Sequence, residues 1–154
     1  MRAVLQRVKS AAVHVDGACV SQIGPGLLVL LGISVDDTAA EIEPLCRKLL
    51  GTRLWDEGER AWRVALPQLG GELLLVSQFT LHARLSKGTK PDFHRSMNGG
   101  PARELYDETL ARLRAMYVPE RIKEGAFGAM MDVSLVNDGP VTLIIDTADK
   151  KAAQ

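Results

Sequence analysis

Two stretches of this chain are apolar at almost every position: Gly26 to Ile33 (GLLVLLGI) and Leu73 to Phe79 (LLLVSQF). Neither approaches the roughly 20 apolar residues that a membrane span requires, so each is expected as a strand buried in the protein interior. With 154 residues the chain is long enough to bury such a core in one domain without disulfides or metals. The N-terminal MRAVLQRVKS lacks an apolar h-region and a small-residue cleavage site, so no signal peptide is expected and the compartment is taken to be the cytoplasm. Cys19 and Cys46 stand far apart without a Cys-x-x-Cys spacing and are expected as buried free thiols in a reducing compartment.

Around these strands the pattern is mixed. Ala3 to Val8 and Ala12 to Val15 are β-rich, and Asp16-Gly17 signals a hairpin turn before Ala18 to Ile23. Ile42, Leu45, Cys46, Leu49 and Leu50 recur at helical spacing behind a Thr38/Glu41 capping box. Pro44 would sit one turn inside that helix, so either the helix starts later or it kinks. Arg53 to Trp55 and Ala61 to Val64 flank Asp56 to Glu59 as a second hairpin. His82 to Gly100 is polar, aperiodic and punctuated by Gly and Pro, and a loop of that length is more often functional than idle. Pro101 then opens a helix to about Met116, with Ala102, Leu105, Thr109, Leu113 and Met116 inward. Val133 to Val136 and Val141 to Asp146 enclose Asn137-Asp138-Gly139-Pro140 as a turn between two strands, and the end of the chain, from about residue 146, is expected to fray. Residues 1–154 thus predict a single α+β domain with mostly antiparallel, barrel-like β-sheets and two main helices.

Chemistry is harder to find. The chain has no GxSxG elbow, Walker loop, HExxH or Cys/His metal-ligand spacing, so neither a metal nor a cofactor is expected. Equal numbers of basic and acidic residues, 19 of each, argue against broad nucleic-acid binding but leave room for a local patch. Arg84, Lys87, Lys90 and Arg95 against Asp92 form the best such patch. His14 alternates with valines on a strand, and His82 and His94 fall in the basic loop, where surface or phosphate contact suits them better than general-base work. Ser77-Gln78-Phe79-Thr80 ends a buried strand, where its backbone N–H groups and polar side chains can meet a ligand or simply cap the strand. Composition favours the cap. Gly139-Pro140 is either a plain turn or a cis peptide that aims its carbonyls in a fixed direction.

In order along the chain, these segments resemble one family. Ser77 to Thr80 and Asn137 to Thr142 match the Ser-Gln-Phe-Thr and Asn-x-Gly-Pro-Val-Thr motifs of the D-aminoacyl-tRNA deacylases. Agreement extends through Met1 to Val4, Gln6 to Val8, Ile23 to Leu27, Gly71 to Val76, Lys87-Gly88 with Pro91 and Phe93, and Phe127-Gly128. The resemblance implies a cytoplasmic homodimer with two sites at the interface, acting on D-aminoacyl-tRNA without a cofactor. It implies that Ser77, Gln78, Phe79 and Thr80 line the scissile ester, and that Gly139 and Pro140 enter from the partner subunit as a Gly-cisPro motif that excludes L-amino acids. Phe127 and Met131 would then line the adenosine end. Arg7 and Asn137 would support the motif, and Arg84, Lys87 and Lys90 would bind tRNA. Glycine, lacking a side chain, would also pass. Thr80 has no evident base to activate it, so attack by water is preferred. His82 replaces a usual Tyr, and Thr89 replaces a basic residue that would strengthen the loop. Two other classes compete: a non-catalytic nucleic-acid-binding dimer using residues 84–95, and a small-ester or amide hydrolase using Thr80.

Overall fold

The computed structural model describes residues 1–86 and 88–149. The two apolar runs become strands β3 (Gly26–Gly32) and β6 (Glu72–Ser77), which pair in parallel from Gly26↔Glu72 to Leu31↔Ser77. Both are covered on both faces. Leu27, Val29, Leu31, Leu73 and Leu75 face the cluster that holds the helices, while Leu28, Leu74 and Val76 face a second cluster with Val8, Val13 and Ile23. Burying each such side chain contributes about 2 kcal/mol, so this pair carries much of the hydrophobic stabilisation.

The sheet extends on either side of that pair. Strand β1 (Arg2–Val15) runs antiparallel to β3 and also pairs with β2 (Ala18–Ile23) through the Asp16-Gly17 turn, where Asp16 and Gly17 both have positive φ. Beyond β6 lies β7 (Ile122–Glu124), again parallel, and β2 comes back alongside β6 and β7 to give a barrel-like sheet. Parallel pairing at the centre qualifies the antiparallel expectation. It follows from the long crossover between β3 and β6, which passes through a helix and a hairpin before returning.

Helix α1 (Ile42–Gly51) answers the Pro44 question by starting late. The Thr38/Glu41 capping box closes a 3-10 turn at Ala39–Glu41, and Pro44 falls in the first turn of the α-helix, where its missing N–H is not needed. The hairpin of β4 (Arg53–Glu57) and β5 (Arg60–Ala65) forms its own small sheet and leads into the short α2 (Leu66–Leu69). Helix α3 (Gly99–Met116) packs Ala102, Tyr106, Thr109, Leu110 and Leu113 inward, and the Tyr106 hydroxyl donates to the Leu75 carbonyl at 2.8 Å. No helix is long and apolar enough to cross a membrane among the described residues.

Three expectations are corrected. Residues 137–140 do not turn between two strands: β8 (Asp132–Asp146) is continuous and both its halves pair with β1, Val8 opposite Asn137 and Gln6 opposite Thr142. The end of the chain is held through residue 147, with Arg2 Nε and Nη2 donating to Asp146 at 3.0 and 2.8 Å and the Thr147 amide donating to Met1 O at 2.9 Å. Residues 150–154 lie outside the described part. Cys19 is exposed on β2, and only Cys46 is buried.

At Gly26 the central pair leaves no room for a side chain, because a Cβ there would overlap the Glu72 backbone, its carbonyl oxygen first. Gly26→Ala should therefore cost about 3 kcal/mol or more, read as a fall in the urea midpoint. A midpoint within error of wild type would show that the strands can separate at this rung.

Candidate active site

At the end of β6 the apolar run stops and the backbone turns away. The Gln78 amide donates to Leu31 O at 2.8 Å, one bond beyond the ladder, and Phe79–His82 then form a 3-10 turn. Phe79 is therefore not the last residue of the strand, as the sequence implied. Its ring is half exposed and meets the Phe93 ring edge-on at 5.0 Å between centroids. Nothing among the described residues accepts from the Phe79 or Thr80 amides, which sit at the open start of this turn. Gln78 Nε2 donates to Thr80 Oγ1 at 2.5 Å, leaving the Thr80 hydroxyl proton free for another acceptor.

These residues border a cavity of about 590 Å³. Ser77, Gln78, Phe79 and Thr80 line it together with Phe127 and Met131, so six residues named from the sequence line one site. Phe127 packs on the buried Tyr106 at 5.2 Å between centroids, with the Arg103 guanidinium 5.3 Å from its own centroid. Met131 Sδ accepts from the Ala126 amide at 3.3 Å and lies close to Gly125, where a Cβ would come within 3.0 Å of the sulfur. Sequence reasoning missed Asn98, Gly99 and Ala102 at the start of α3, and Gly128 to Met130. Asn98 is a favoured N-cap type, yet nothing local says that this helix end meets β6. Met130 is 92% exposed at the cavity mouth, where a large apolar side chain gains nothing from folding of this chain alone.

Gly139 and Pro140 are not in this cavity. The Gly139–Pro140 peptide is cis, and both residues are exposed on an excursion of β8 spanning residues 138–141. Asn137 closes the excursion, its Oδ1 accepting from the Val141 amide at 2.8 Å and its Nδ2 donating to Val141 O at 3.1 Å. Arg7 holds the loop from below: Nε donates to Asp138 O at 2.7 Å and Nη1 to Leu54 O at 2.5 Å. A Cβ on Gly139 would come within 2.5 Å of the Val141 nitrogen, so this position needs glycine.

The basic loop is built differently from the expectation. Arg84 pairs its backbone with Asp92, Arg95 is bound to Asp36 at 2.6 Å, and Lys90 is exposed. Lys87 lies outside the described residues. The loop is tied to the site by the buried Ser96, whose hydroxyl donates to Phe79 O at 2.8 Å. His94 is exposed and paired with Asp92. His82 is in the 3-10 turn and not in the loop; its Nε2 is buried with no partner among the described residues, and the ring lines a separate cleft with Arg2 and Asp37. Burial pushes the Cys46 thiol up to about 11, so neither it nor the exposed Cys19, which is absent from the cavity wall, is a ready nucleophile there.

Comparison with known proteins covers nearly the whole chain. The family model described as D-Tyr-tRNA(Tyr) deacylase matches residues 4–146. A D-aminoacyl-tRNA deacylase of Yarrowia lipolytica is 51% identical over 154 residues, which are 98% of this chain and 100% of the relative. The solved structure of the c-Myc DNA Unwinding Element Binding Protein superposes with a TM-score of 0.91 at 46% identity, covering 95% of this chain and 98% of that one. Another, described as a probable eukaryotic D-amino acid tRNA deacylase, shares the fold at a TM-score of 0.80 and 18% identity, over 94% and 97% of the two chains. Matches of this extent define a deacylase domain, a hydrolase by class. The chain belongs to the D-aminoacyl-tRNA deacylase family.

His82 supplies a pH test. Burial, working against the Gly32 backbone, holds its imidazole below the ordinary 6.5. Below that value the unfolded chain therefore binds more protons than the folded one, and stability present above about pH 6.5 is lost as pH falls through the window beneath it. Urea midpoints taken at about pH 7.5 and about pH 5.5 should fall less with acid in His82→Phe than in wild type. Equal falls would mean that the ring is solvated.

Proposed function

We propose that this protein hydrolyses the ester of D-aminoacyl-tRNA, releasing the D-amino acid and free tRNA, and that it works as a cytoplasmic homodimer. The observation that carries the reading is the meeting of Ser77 to Thr80 with Phe127 and Met131 in one cavity, while Gly139 and Pro140 stand exposed outside it. A second copy can bring its Gly139–Pro140 backbone to that cavity. The outer edge of β8 suits such docking, with Val136, Leu143 and Ile144 exposed at 53%, 41% and 69%. The free thiols Cys19 and Cys46 fit a reducing compartment.

In this reading the terminal adenosine lies against Phe127 and Met131, and the ester carbonyl points at the unpaired Phe79 and Thr80 amides. Water attacks the carbonyl carbon, and the amides hold the developing oxyanion. The bond to the ribose oxygen breaks, and that oxygen leaves with a proton. The hydroxyl next to the ester is placed to help. Thr80 positions the substrate, because its hydroxyl accepts from the Gln78 side-chain amide and no side-chain base reaches it among the described residues. Gly139–Pro140 stands against the α-carbon, where an L side chain meets backbone and a D side chain points into open space. Exclusion by backbone passes many D side chains, and glycine with them. Exposed Arg84 and Lys90, with Lys87, would contact tRNA phosphates.

Release of amino acid from D-aminoacyl-tRNA, its L counterpart, glycyl-tRNA and free D-amino esters tests this directly. D- and glycyl-tRNA should turn over, and L should not; equal D and L rates would overturn the exclusion. Turnover of free esters alone would make the chain a small-ester hydrolase. Binding without turnover would favour a nucleic-acid-binding dimer, and the 46% identical structure is described as a DNA-element binding protein. Thr80→Ala should keep activity within about tenfold of wild type, while loss of all turnover with intact binding, or a trapped acyl-Thr80, would make Thr80 the nucleophile. Arg7→Ala should raise L-substrate hydrolysis by about tenfold or more, because it frees the 138–141 loop.

A further inference from the structure

We propose that Trp62, on the β4–β5 hairpin, is a positioning residue for chiral selection: it clamps Arg7 and thereby sets where Gly139–Pro140 stands. The inference rests on the deacylase reading above and names a residue that reading does not use.

Trp62 has φ 58, in the left-handed region that bulky side chains avoid. Its surroundings impose this. The hairpin ladder pairs Trp55 with Val64 but Glu57 with Arg60, so β5 carries two residues more than β4 between these rungs and bulges at Ala61 to Arg63. Asp56 faces the bulge, and its Oδ1 accepts from the Trp62 amide at 3.1 Å. A bulge of this kind re-aims a side chain. Here it delivers the indole to the Arg7 guanidinium, whose carbon lies 5.9 Å from the ring centroid.

Arg7 is the right target for such a clamp. Its side chain is only 16% exposed and ties three segments: its own strand, Leu54 O on β4, and Asp138 O on the loop. Leu54 O holds Nη1 and Asp138 O holds Nε, so two edges of the fork are occupied while the flat face is left for the ring. Trp62 remains 53% exposed, which is more area than a residue serving only the core would leave in water. A strained, half-exposed Trp that touches the residue holding a selective loop is placed by the function of that loop. The bulge sets the backbone at position 62, but nothing in the hairpin requires that its side chain be an indole.

Two variants separate ring from backbone. Trp62→Gly suits the left-handed φ and should fold with an unchanged or raised thermal midpoint, yet lose the clamp. Hydrogen exchange at the Val141 amide should then speed up about tenfold, and the ratio of D to L hydrolysis should fall about tenfold. Trp62→Phe keeps a ring over the guanidinium and should restore most of both. In an Arg7→Ala background Trp62→Gly should add nothing. Unchanged Val141 exchange in Trp62→Gly overturns the proposal whatever the substrate proves to be. So does an unchanged ratio in an enzyme whose wild type discriminates, or a Trp62→Phe variant no better than Trp62→Gly. A wild type that hydrolyses D and L alike would instead defeat the reading of the site, and the exchange result would still decide the clamp.

Discussion

Two strands sealed on both faces leave their backbone no water to turn to. Every N–H and C=O of β3 and β6 has to be met from within the protein, mostly by a neighbouring strand, which is why the register from Gly26↔Glu72 to Leu31↔Ser77 is unbroken and why Gly26 must lack a side chain. The same constraint decides where the site lies. Where the covering layers end, at Ser77, the chain can offer polar groups to something other than itself. The start of the 3-10 turn does so with two amides and a hydroxyl. In open parallel sheets ligands gather outside the carboxyl ends of strands, and the central parallel pair places this cavity by the same logic.

What could be seen in the sequence was what is local. Solid apolar runs announced β3 and β6, the Thr38/Glu41 box announced the approach to α1, and Pro101 announced α3, which starts two residues earlier at Gly99. Pairing direction could not be seen, because it depends on the path of the residues between Gly32 and Glu72 rather than on either strand. Strand β7, with three residues, is too short to carry a period. Asp138-Gly139-Pro140 has every local mark of a turn. It is not one, because β1 is long enough to hold both flanks, through Val8 and Gln6, while the residues between bow outward. Charges follow the same rule. Arg95 was visible as part of a basic loop, but its partner Asp36 lies far away in sequence, and the pair reduces what the loop can offer to phosphate.

Site residues divide along the same line. Ser77 to Thr80 are contiguous, so their position at a strand end can be read directly, even though composition alone favoured a simple cap. Phe127 and Met131 come from the segment after β7, and only a resemblance connected them to β6. The role of Trp62 left no trace in the sequence, where it is one more aromatic in a β-rich run. Its left-handed backbone and its contact with Arg7 arise from a bulge that appears only once Asp56 faces it across the hairpin.

Selection by backbone demands something of the fold that selection by side chain does not. A pocket wall made of side chains can be retuned by substitution, whereas a carbonyl that excludes one hand of substrate must be held to within about half an ångström by everything behind it. In this chain the support of the Gly139–Pro140 backbone is not in the cavity. It runs from β1 through Arg7 to Asp138 and Leu54, with Asn137 closing the loop and Trp62 lying over the guanidinium. On the proposed function, chemistry and chirality would therefore rest on different parts of the molecule, one on the end of β6 and the other on the far side of β1. In the proposed dimer the two would meet only when a second copy docks, so a change that loosens one need not weaken the other.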